Sequence, residues 1–226
     1  KIILHNADVD QLEHYLDQYL DTYDYYVVSP HFSIDDQTQM RVAKLLGRVP
    51  NRKLLLLDHC NRFMSGQFGA VYQDFFTDVE RGLEEAVDEL RNIGCLNAVV
   101  LPTSRYGKWV LEGVGSFCAR NHIPLRVMDS FPRNVKAGEV FLLQTGQLSN
   151  ELAEFDEILK ENNLTVGVDV GLIAYNDVPL NSVVLGGLTT ISTDFVKMGK
   201  LAAEMILSRK MTKIHNEFRM IRRNTF

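Results

Sequence analysis

The stretch Gly171-Leu-Ile-Ala-Tyr-Asn-Asp177, followed by Leu188-Thr-Thr-Ile-Ser-Thr-Asp-Phe195 and Met198-Gly-Lys-Leu-Ala-Ala-Glu-Met205, decides the fold class. Leu172, Ile173 and Ala174 are a short apolar run, as in a strand buried on both faces. Tyr175, Asn176 and Asp177 follow at its carboxyl end, where open α/β sheets place ligands. Leu188 to Ile191 predicts a second strand, and a capped helix then runs to Ser208.

The same alternation extends outward. Apolar runs predict strands at Ile2–Leu4, Tyr25–Val28, Lys53–Leu57, Ala98–Leu101, Leu125–Met128, Val140–Leu143 and Phe218–Ile221. Between them, helical spacing places Leu12, Tyr15, Leu16, Tyr19 and Leu20 on one face, after a cap at Asp8 or Asp10. Further helices are expected from Asp35 to Gly47, from Asp74 or Thr77 through Leu90, from Lys108 to Asn121, and from Glu151 to Asn163. Residues 65–70 read as a glycine-bearing loop. Repeated strand–helix units imply an α/β protein with parallel sheets flanked by helices. Several strands end in polar clusters: Ser29-Pro30-His31, Asp58-His59, Thr103-Ser104, Thr145-Gly146-Gln147 and Tyr175-Asn176-Asp177. Such clusters are either ordinary loop chemistry or the lining of a cleft.

Composition narrows the function. The chain has 226 residues, 46% hydrophobic, with a net charge of −5, which suits one large domain or two lobes. Arg219 to Arg223 alternate with apolar residues and read as a strand, not as a DNA-binding arm. Three cysteines at irregular spacing, Cys60, Cys95 and Cys118, argue against a disulfide framework or zinc site and for free thiols in a reducing compartment, the cytoplasm. No apolar stretch is long enough to span a membrane.

The segment Gly171–Met205 resembles the carboxyl-terminal part of the LacI/GalR effector-binding domain, whose run G(F/Y)(D/N)D…LTT(I/V)…D…(M/L)G…AAE crosses a hinge between two lobes. The likeness extends to Val71-Tyr-Gln-Asp74 with the helix after it, and to Leu101–Phe117 with Gly113. With Asn176-Asp177-Val-Pro-Leu and Thr190-Ile-Ser-Thr-Asp-Phe195, it looks closest to sugar-sensing domains fused to GntR-type winged helices. The resemblance implies a two-lobed, type I periplasmic-binding-protein-like fold with a cleft between lobes. One lobe is expected at 1–94 plus 193–209 and the other at 95–192 plus 210–226. It also implies a homodimer, with Tyr15, Tyr19 and Leu20 as plausible dimer surface, and a DNA-binding domain upstream of this chain.

A sugar site needs planar acceptors and donors for hydroxyls and a flat apolar face for the ring. Trp109, the single tryptophan, serves either as that face or as core. Tyr106 and Lys108 are candidate donors, and Gln147 a neutral partner. Asp74 is a helix N-cap, a ligand acceptor, or both. Asn176 and Asp177 either bind ligand or brace the hinge, and Asp58 with His59 ends a strand near the cleft. His31 is a similar case. Two positions depart from the family pattern: Val110 stands where an Arg is common, and Thr145-Gly146 where Asn-Asp is common.

The reading is therefore an effector-sensing and dimerisation domain of a bacterial transcriptional regulator. Its ligand would be a monosaccharide or sugar phosphate, with no cofactor and no metal. The alternative is an extracytoplasmic sugar-binding protein of a transporter. An enzyme is not expected: Gly113-Val-Gly115-Ser116-Phe117 is neither G-x-S-x-G nor G-x-G-x-x-G, and the six histidines lack metal-ligand spacing.

Overall fold

The computed structural model describes residues 1–100, 105–144 and 149–226. In chain order the elements begin with α1 (Val9–Tyr19), β1 (Tyr26–Val28), α2 (Asp36–Leu46), β2 (Leu54–Asp58) and β3 (Gly69–Tyr72). Next come α3 (Phe75–Glu84), α4 (Val87–Leu90), β4 (Leu96–Val100), α5 (Gly107–Asn121) and β5 (Leu125–Met128). Then follow β6 (Val140–Gln144), α6 (Ser149–Glu161), β7 (Gly171–Tyr175) and β8 (Thr189–Thr193). The chain closes with α7 (Phe195–Ser208), β9 (Lys213–His215) and β10 (Phe218–Ile221).

These elements make two compact units, Lys1–Asp74 with Asp194–Glu217, and Phe75–Thr193 with Phe218–Phe226. The first holds a parallel sheet in the order β1-β2-β3-β9. Its central strand alternates faces at every residue, as the two-residue period of a strand requires. Leu54 and Leu56 pack with Leu12, Leu16, Val42 and Leu46 of α1 and α2. Leu55 packs with Val71 and with Met198, Ala202 and Met205 of α7. Asp8, Asp35 and Asp194 cap α1, α2 and α7 by accepting from backbone N–H groups of the first turn.

The second unit holds a six-stranded sheet in the order β10-β8-β7-β6-β4-β5, parallel except for β10. Leu142 and Ile173 face a core shared with α3, α4 and α5. Their neighbours Leu143 and Ala174 face the core under α6, with Phe155 and Ile158. The β10 strand expected from the alternation of Arg219–Arg223 is present, antiparallel to β8.

Several expectations are corrected. Ile2–Leu4 is not a strand; Ile2 is 93% and Leu4 71% exposed, because the segment pairs with no strand edge. Part of the expected loop at 65–70 is the start of β3. A Cβ at Gly69 would lie 2.7 Å from Leu55 Cδ1 and from Met211 Sδ, so glycine here permits close packing of a central strand. The helix expected through Leu90 breaks into α3 and α4. At the break, the Glu85 side chain accepts from Met220 N and its carbonyl from Arg222, tying the turn to β10.

The chain changes unit after Asp74, Thr193 and Glu217, not near Gly94. Packing explains this: Val79 and Leu83 of α3 share a core with Val110, Val114 and Phe117 of α5. β9 pairs with β3, which assigns residues 213–215 to the first unit. All three cysteines are free thiols.

Candidate functional site

In each unit the parallel strands end together, and polar residues gather at those ends. In the first unit, β2 ends at Asp58, whose backbone takes the left-handed conformation (φ 70), uncommon outside glycine. The carboxylate is held from two sides. His31 Nε2 lies 2.8 Å from Oδ2, and the Gln73 amide donates to Oδ1. Gln73 N also donates to the Asp58 carbonyl at 3.1 Å. His59 follows, nearly buried, and burial, then His31, push its imidazole down to about 4 against the pull of Asp58 and Asp74. It is therefore a neutral hydrogen-bonding group at pH 7, not a cation. Asp74 is exposed and directly precedes α3, and Tyr72 stacks on His215 at 5.5 Å.

In the second unit the register places Val100 beside Gln144, Leu143 beside Ala174 and Tyr175 beside Ile191. Gln144 shares its face with Leu142 by strand alternation, the face on which Ile173, Tyr175 and α5 pack. The same core receives Tyr106 and Trp109 at the start of α5. Phe75 stacks on Tyr106 at 4.2 Å, and Tyr106 on Trp109 at 5.6 Å. Trp109 is thus half-buried in an aromatic cluster, whereas Lys108 is exposed on the first turn of α5.

Asn176 and Asp177 have different surroundings. Asn176 adopts φ 69, and its Oδ1 is buried with no hydrogen-bond partner. Asp177 is fully engaged: Arg223 donates to both carboxylate oxygens, at 2.8 and 2.9 Å, and Thr190 Oγ1 donates at 3.0 Å. Burial raises the Asp177 carboxyl, but Arg223, Thr190 and Asn181 outweigh it and hold it below its ordinary value. Asp177 N donates to Ser192 Oγ, and Asn181 ties back to both residues. The hydroxyl-rich strand Thr189–Thr193 therefore serves to hold this turn.

Gln147 lies outside the described residues. Three residues that hold or adjoin these candidates were not singled out from the sequence: Gln144, Gln73 and Arg223. The signal for Gln144 was its place at the end of the run Val140–Leu143. Arg223 gave no local signal, since its partner is far away in the chain. Among the described residues, no group of His, Cys, Asp and Glu could hold a metal ion, and no helix is long and apolar enough to cross a membrane.

Comparison with known proteins bears on this arrangement. A profile of the periplasmic binding protein-like domain matches residues 87–225. No curated protein matches the sequence. Among solved structures, the chain is similar to a probable maltose operon transcriptional repressor, MalR, from Staphylococcus aureus. That match has 17% identity and a TM-score of 0.67, and covers 97% of this chain and 81% of the other. It is similar to the transcriptional regulator CelR in complex with cellobiose, at 12% identity and TM-score 0.66, over 96% and 70% of the two chains. It is also similar to the Lac repressor bound to ONPG, at 19% identity and TM-score 0.67, over 100% and 70%. At these identities the likeness establishes the fold.

Proposed function

The chain belongs to the periplasmic binding protein-like domain family, and from that premise we propose that it is the effector-sensing domain of a transcriptional regulator, with a small sugar as its ligand. The observation that carries the reading is at the carboxyl ends of β6 and β7. Gln144 and Asn176 hold buried amide oxygens there without a protein partner. On the face of the sheet that Gln144 shares, the core takes in the aromatic pair Tyr106 and Trp109. Planar amides with an aromatic face are the chemistry that a ring of hydroxyls and C–H groups requires. The similar folds include a maltose operon repressor and a cellobiose-bound regulator, which supports a sugar over other small molecules.

In this reading the chain is not an enzyme. It works as a homodimer in the cytoplasm, joined to a DNA-binding domain of the GntR winged-helix type. Three free thiols support the reducing compartment. Ligand binding regulates DNA affinity by favouring one conformation over another. The test is a thermal-shift and calorimetric screen of the chain against monosaccharides, disaccharides and their phosphates. A ligand at a hundred times its Kd is expected to raise Tm by several degrees. A panel in which no sugar shifts Tm or releases heat refutes the reading.

A further inference from the structure

Among the described residues of the second unit, the buried side-chain atoms lacking a hydrogen-bond partner are Gln144 Oε1, Glu151 Oε2 and Asn176 Oδ1. All three are oxygens, and none is a donor. All three also lie at one end of the sheet: Gln144 closes β6, Asn176 follows β7, and Glu151 is in the first turn of α6, which leaves β6. Gln144 is only 7% exposed, so water cannot readily satisfy its oxygen. A buried acceptor left without a donor is unfavourable, and a site that keeps several is complete only when a donor arrives.

Cations do not balance the set. Arg105 and Lys108 are exposed. Arg223 is committed to Asp177 and to the Leu188 carbonyl. A phosphate brings acceptors and negative charge, the wrong partner for three unmatched oxygens. A hydroxyl brings a donor. We propose that Gln144 contacts the ligand directly and selects an unphosphorylated, hydroxyl-rich sugar through a hydrogen bond to its amide oxygen. The inference rests on the reading of the chain as a sugar sensor and adds to it both a residue and a ligand class. Glu151 and Asn176 supply further acceptors at the same sheet end.

The test is titration calorimetry on the whole chain with four matched pairs. These are D-ribose, D-xylose, D-glucose and D-galactose, each against its 5- or 6-phosphate. At least one free sugar is expected to bind ten times or more tighter than its phosphate. Gln144→Met, which keeps the length of the side chain and removes the acceptor, should weaken that sugar at least tenfold. The ligand-free Tm of the variant should stay level or rise, because the amide oxygen has no protein partner to lose. Tighter binding of a phosphate overturns the inference while leaving the sensor reading intact, as does unchanged affinity in Gln144→Met. A ligand-free Tm several degrees lower also overturns it, since Gln144 would then be structural. Absence of binding by all eight compounds overturns the inference, and the sensor reading falls with it when the disaccharides of the wider panel are silent too.

Discussion

The guanidinium of Arg223 and the carboxylate of Asp177 meet through two parallel hydrogen bonds, Nη1 to Oδ1 at 2.8 Å and Nη2 to Oδ2 at 2.9 Å. Both side chains are about four-fifths shielded from solvent. A bidentate pair of this kind fixes direction as well as distance. It ties the chain after β10 to the turn that follows β7. Asp177→Ala would strand the guanidinium, and the expected loss is about 2 kcal/mol, reduced from a fully buried pair by the remaining solvent access. Arg223→Lys should recover little, because an ammonium cannot make the fork. Urea unfolding of both variants measures this, and a loss below about 0.5 kcal/mol in Asp177→Ala contradicts it.

Two acid transitions should separate. His59 has its folded pKa lowered to about 4, below the unfolded value near 6.5. The unfolded chain then binds more protons between those limits, so stability falls as pH drops from about 6.5 to 4. The size is about 3 kcal/mol. Asp177 has a lowered carboxyl pKa, so its contribution is present above the unfolded value and disappears as pH falls through the folded one. His59→Gln should flatten the upper window and Asp177→Asn the lower. Thermal unfolding from pH 3 to 8 distinguishes them.

Gly113 and Gly115 are neighbours on α5 with opposite tolerance. A Cβ at Gly113 would stand 2.4 Å from the Phe76 carbonyl oxygen and 2.5 Å from Val79 Cγ1. At Gly115 nothing lies within 4 Å. Gly113→Ala must push α3 away and should lose about 2–3 kcal/mol. Gly115→Ala should gain up to about 1 kcal/mol from helix propensity alone. Equal effects in a denaturation series would refute the close crossing of these helices.

Thr225 is completely buried. Its hydroxyl donates to the Leu172 carbonyl and accepts from Thr189 N, and its own carbonyl accepts from Leu172 N. Thr225→Val keeps the shape but leaves a buried N–H and carbonyl without partners. About 2–4 kcal/mol should be lost, with Thr225→Ser retaining most of the stability. A valine variant as stable as the parent would show that the hydroxyl is dispensable.

Much of the architecture was legible because periodicity reports burial directly. Leu54–Leu57 and Leu172–Ala174 announce central strands, and Asp8, Asp35 and Asp194 announce helix starts. What escaped depends on distance. β3 was hidden by Gly69, whose meaning lies in Leu55 and Met211 across the sheet. The unit boundary was misplaced because α3 belongs where α5 and β10 are, and no local pattern carries that choice. At the candidate site, Asn176 and Asp177 were singled out as a pair, yet their separate surroundings follow from Arg223, remote in the chain. Gln144 went unnoticed because an amide at the end of an apolar run looks like the first residue of a loop.

The three points at which the chain changes unit also set an order of assembly. The face of the first sheet that carries Leu55 and Val71 is covered by Met198, Ala202 and Met205, which are made only after the chain has returned from the second unit. On the ribosome, the roughly 120 residues of the second unit must be synthesised before that cover exists, a delay on the order of ten seconds at ordinary elongation rates. The second unit in turn waits for β10 to close its sheet edge. Each half therefore matures only when residues 194–226 emerge, and a nascent chain halted before α7 exposes an apolar sheet face to chaperones and to its own kind.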